Sequence, residues 1–137
     1  MSDRAHTTGS GSRPRSLEAS AWALLLLQLV HGATPVGTHS EGHVGTVGGL
    51  LLVIAALVAV VGFRTHRTWA RPLAGWTGLV VAVGFILYHA VPVSSPLTNP
   101  YLGHPAGAAA WISVGLAVAA GAWAGYEAFG RRPLAVG

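Results

Sequence analysis

Between Val44 and Phe63 the chain carries no charged residue. Leu73–Val91 and Ala106–Gly130 are nearly as bare, interrupted by one basic group, His89, and one acidic group, Glu127. A helix needs about 20 apolar residues to cross the hydrocarbon core of a bilayer, and each of these blocks meets that length. A fourth block, Leu17–Ala33, is at the short limit and holds Glu18, Gln28 and His31. In lipid a backbone must satisfy its own polar groups, which leaves helices or closed barrels. Long unbroken apolar runs select helices. All eight prolines lie outside the blocks or at their ends, so none breaks a helical ladder.

Composition closes off the soluble alternatives. Hydrophobic residues make up 52% of the 137 and charged residues only 9%, against about 25% charged in a soluble domain. No water-facing surface can be built from this inventory. There is no cysteine, which removes disulfides, thiolate metal ligands and thiol redox chemistry. The basic excess does not point to nucleic acid, because the arginines are scattered in short connecting segments and form no patch.

Those arginines set the direction. Arg4, Arg13 and Arg15 precede the first block, Arg64, Arg67 and Arg71 separate the second and third, and Arg131 and Arg132 follow the fourth. The other two connections have none. The positive-inside rule places the arginine side in the cytoplasm. The expectation is an all-α integral membrane protein of the plasma membrane, a four-helix transmembrane bundle running up-down-up-down with both termini cytoplasmic. Residues 1–16 read as a disordered cytoplasmic tail, 17–132 as the transmembrane domain and 133–137 as a second tail. Helices are expected near 17–33, 39–63, 73–91 and 105–130. Thr38 and Glu41 have capping-box spacing ahead of the second helix, Pro92 stops the third, and Pro105 suits the first turn of the fourth. The first block also has the build of a secretory signal peptide, with cleavage after Gly32; removal would leave three helices.

Small residues recur at helix-contact spacing. Gly45 with Gly49, and Gly121 with Gly125, form GxxxG pairs; Gly78 with Ala82 is a looser one. Such pairs let helices approach closely in lipid, either within the bundle or against a homo-oligomeric or larger membrane partner.

The polar chemistry is asymmetric. Five of seven histidines fall on the outer side: His31, His39, His43, His89 and His104. Every helix delivers at least one. Each alone is an ordinary interfacial residue with a polar tip; their convergence is the functional signal. His39 and His43 are four apart, one helical turn, which suits two imidazoles on one metal. Without cysteine, imidazole and carboxylate are the strong ligands left, and Glu41 is the one outer acid. The first expectation is therefore a Zn or Cu(II) site from His39, His43, Glu41, His89 and His104. The second is a b-type haem held by His31 and His89, with Gly32 and Gly84 making room. Two non-metal readings stand beside them: a non-catalytic accessory subunit of a larger membrane complex, and a proton-linked transporter built as a homo-oligomer. The latter lacks ionisable groups at mid-bilayer, where Gln28 is the buried polar residue. No hydrolase, nucleotide or metalloprotease motif is present.

Overall fold

The computed structural model describes residues 13–34, 43–92, 100–102 and 106–130. Four helices account for nearly all of them, and there is no strand among the described residues. α1 is Arg13–Ala33 and α2 is His43–Arg64. α3 is Ala70–Phe85 and runs on into a π-helical turn, Ile86–Ala90. α4 is Ala108–Gly125 and ends in a second π-helical turn, Tyr126–Gly130.

α1 and α3 begin ahead of the apolar blocks that announce them, at Arg13 in place of Leu17 and at Ala70 in place of Leu73. Hydrophobicity marks the stretch that avoids water, whereas the hydrogen-bond ladder tolerates polar residues in a first turn. Pro14 and Pro72 both fall in first turns, where the missing N–H has no intrahelical partner. α4 starts later than expected, at Ala108, behind an extended Gly107. α3 ends at Ala90 because Val91, extended with ψ 121°, precedes Pro92. The Thr38–Glu41 capping box and Pro105 lie outside the described residues.

α2 is closed by a Schellman turn. The His66 N–H donates to the Phe63 carbonyl at 3.1 Å and the Arg67 N–H to the Gly62 carbonyl at 2.8 Å. His66 occupies the left-handed position with φ 54°, usually a glycine site. The sequence suggests only a polar loop residue there.

Each helix packs on two neighbours, in the cyclic order α1–α2–α3–α4, with α3–α4 the most extensive contact. The core is made of small side chains, Ala21, Ala56, Ala59, Ala74, Ala117, Ala120 and Ala124, around Leu24 and Val81. The outer surface is the reverse of a soluble bundle: Leu51 is 61%, Ile112 60% and Trp76 62% exposed, while Ser20, Gln28, Thr77 and Ser113 are buried. A contiguous apolar exterior of this kind does not persist in water. Gly45–Arg64, Ala70–Ala90 and Ala108–Gly130 are long and apolar enough to cross a membrane. α1 is not in that set. It is long enough, but Arg15, Glu18, Ser20, Gln28 and His31 dilute it, and the last three of these turn inward while Leu26, Leu29 and Val30 face out.

The two ends differ. At one end Arg64 Nε pairs with Glu18 at 2.8 Å, and Ser16 donates to Glu127 at 2.9 Å. Arg71 donates there through Nε and Nη2 to the Ala128 carbonyl, at 2.9 and 2.8 Å, capping the wide last turn after α4. The opposite end holds His31 and His89.

Candidate functional site

His31 sits in the last turn of α1, on the inward face shared by Leu24 and Gln28, and is 6% exposed. Its Nδ1 lies 3.0 Å from Ser113 Oγ on α4. The Ser113 hydroxyl donates to the Ala110 carbonyl at 2.8 Å. Ser113 thus joins the His31 ring to the backbone of α4 through one hydroxyl.

His89 lies in the π-helical turn after α3 and is 2% exposed. π-helical turns of this type recur at functional sites. Its ring centre is 5.1 Å from that of His31, with the planes at 71°. Phe85 leans on both, at 4.7 and 5.6 Å. Tyr88 packs edge-on to His89 at 4.8 Å. The Tyr101 N–H donates to the His89 carbonyl at 2.9 Å, which lays the Tyr101 ring 4.4 Å from His89; Trp111 of α4 backs Tyr101 at 5.4 Å. Three helices and the segment around Tyr101 therefore converge on two buried imidazoles.

Beside the pair is a cleft of about 180 Å³. α2 lines it with Gly45, Gly48, Gly49 and Leu52, and α3 with Val80, Gly84, Phe85 and Tyr88; His31 and His89 complete its inner end. A methyl group added to Gly48, Gly49 or Gly84 would meet nothing within 4 Å. Gly45 differs, because the Tyr88 hydroxyl packs directly on it.

The expected residues distribute as follows. His31 and His89 come together. His39, Glu41 and His104 lie outside the described residues, and His43 is described only as the first residue of α2. Among the described residues no three metal-binding side chains cluster. Gly121 and Gly125 lie against α3, facing Gly78, Ala82 and Leu79, whereas Gly49 lines the cleft and contacts no neighbouring helix within 4 Å of where its side chain would be. Gly84 also lines the cleft; Gly32 faces outward. Gln28 is 4% exposed, and neither atom of its amide has a hydrogen-bond partner among the described residues. The haem expectation meets a geometric obstacle. A porphyrin must stand between its two axial imidazoles, but the rings of His31 and His89 are in edge contact with no slot between them. Sequence reasoning does not find Ser113, Phe85 or Tyr101. Ser113, the one hydroxyl in the first half of an otherwise apolar helix, carries a signal that could have been read.

Comparison with protein-family models, with curated proteins and with solved structures yields no match. The site must be read from its own geometry.

Proposed function

We propose that this chain is a small multi-pass plasma-membrane protein that binds a transition-metal ion through His31 and His89 at its outer end. In this reading all four helices cross the bilayer, the arginine end and both termini are cytoplasmic, and α1 spans because its neighbours cover its polar face. The eight-to-zero arginine split supports the orientation. The apolar exterior supports the membrane.

One observation carries the metal: the separation of two buried imidazoles. Two imidazoles on one tetrahedral ion, with bonds of about 2.0 Å, hold their ring centres about 5 Å apart, whereas two on opposite faces of a haem iron stand more than about 6 Å apart. The separation here is 5.1 Å. His31 also has the outer-shell partner that metal-bound histidines need, through Ser113 to the Ala110 carbonyl. Zn and Cu(II) suit an imidazole set without thiolate. His39, Glu41, His43 and His104 are the sequence's further ligands; α2 begins at His43, two residues before cleft-lining Gly45.

The test is metal content and the visible spectrum of the full-length protein purified in mild detergent. The expected result is about one Zn or Cu per chain and no Soret band. His31→Ala or His89→Ala abolishes loading, and Ser113→Ala weakens it by roughly 10–100-fold. Undiminished metal in a His31→Ala/His89→Ala double variant, with its helicity intact, defeats the reading.

A further inference from the structure

The cleft beside the histidines is not accounted for by a metal ion on His31 and His89. Its walls are glycine and aliphatic side chains, and its inner end is imidazole and phenol. Val80, which lines it, is half exposed, so the cleft communicates with the outside surface between α2 and α3. That surface is apolar on both sides, with Leu51 on α2 and Val83 and Leu87 on α3 turned outward. A molecule entering by this route arrives from the lipid.

Size narrows the class. The cleft of about 180 Å³ compares with the roughly 150 Å³ apolar cavity known to take a benzene ring, and it falls below the roughly 300 Å³ at which drug-sized pockets begin. One six-membered ring fits; a porphyrin does not. The open space next to Gly48, Gly49 and Gly84 lets a flat ring lie against bare backbone. Phe85 and the two imidazoles offer aromatic faces and edges at the inner end. Tyr88 and the imidazoles make this end the polar part of an otherwise apolar lining, which favours a ring that carries oxygens over a plain hydrocarbon.

We propose that the α2–α3 cleft binds a lipid-soluble molecule with a single ring bearing carbonyl or hydroxyl oxygens, the chemistry of a benzoquinone or its quinol, with any tail left in the bilayer. This rests on the membrane placement proposed above and not on the metal.

The experiment uses the full chain in phosphatidylcholine nanodiscs, titrated with decylubiquinone and measured as quinone retained in excess of empty discs. Binding is expected to saturate near one quinone per chain. Gly49→Leu and Gly84→Leu, which fill the cleft, weaken it at least tenfold. Gly115→Leu adds the same bulk at an exposed site on α4 where nothing lies within 4 Å, and leaves binding unchanged. If a leucine variant loses helicity, the Gly48→Ala/Gly49→Ala double variant replaces it, since both methyl groups have room, and a severalfold loss is expected. No saturable excess, as when lipid chains or a second copy occupy the cleft, overturns the proposal. So does binding that filling leaves untouched. Metal content measured on the same samples separates the two readings: Gly49→Leu that loses quinone but keeps metal assigns that loss to the cleft, and Ser113→Ala, outside the cleft lining, that weakens metal loading but keeps quinone assigns that one to the imidazole pair.

Discussion

On one face of α3, Gly78 meets Gly121 of α4 so closely that a side-chain carbon on either would come within 2.5 Å of the other's carbonyl oxygen. Further along the same helix, Gly84 looks across open space towards Gly48 and Gly49 of α2. The residue type is the same and the consequence is opposite. At the α3–α4 contact glycine removes bulk so that two backbones can touch, continued by Gly75 under Ala128 and Gly125 under Leu79. At the histidine end of α2–α3 glycine removes bulk and, among the described residues, none fills the gap. Close packing is the ordinary use of small residues between membrane helices. Unfilled room is not, since lost dispersion contacts are a cost, and it lies next to the two buried imidazoles.

Substitutions can break this contrast, and the largest effect is expected at the closed contact. Gly121→Ala places a methyl group against the Gly78 carbonyl and the Ala82 backbone; because backbone must shift, a loss of about 1–3 kcal/mol is expected in reversible unfolding in mixed micelles. An unchanged midpoint would mean that the α3–α4 contact is looser than described. Gln28→Leu probes the polar interior behind the cleft. Its amide is buried without a partner among the described residues, so an apolar replacement of similar size should gain about 1–2 kcal/mol. A loss would show that the amide is satisfied by a bound group. Gly49→Ala and Gly84→Ala meet no neighbour and should gain up to about 1 kcal/mol from helix propensity; destabilisation at either would show that the cleft is filled in the working protein. Gly45→Ala falls between the two regimes. It collides only with the far end of Tyr88, which can rotate, so a loss of about 0.5 kcal/mol is expected.

The site was only partly legible in the sequence. His31 and His89 stand out because ionisable residues within apolar blocks are rare, and that signal is local. Their pairing is not local: it needs α1 and α3, separated by α2, to present the same end and the same face. The two GxxxG pairs, Gly45 with Gly49 and Gly121 with Gly125, have the same spacing. Only the neighbours they meet tell a packing surface from a cleft wall.

What the sequence determined by itself is the helical architecture and the separation of all eight arginines from five of the seven histidines along the chain. Those follow from block length, proline placement and charge, which each stretch of chain carries on its own. The tertiary structure decided the rest: which glycines touch, the joining of His31 to Ser113 and through it to Ala110, and the burial of α1's polar face that the hydropathy of its own residues does not predict. These depend on helix rotation and register, and those are set by side chains from several helices meeting at once. The contrast along α3 arises there, where the same glycine is a contact at position 78 and an opening at position 84.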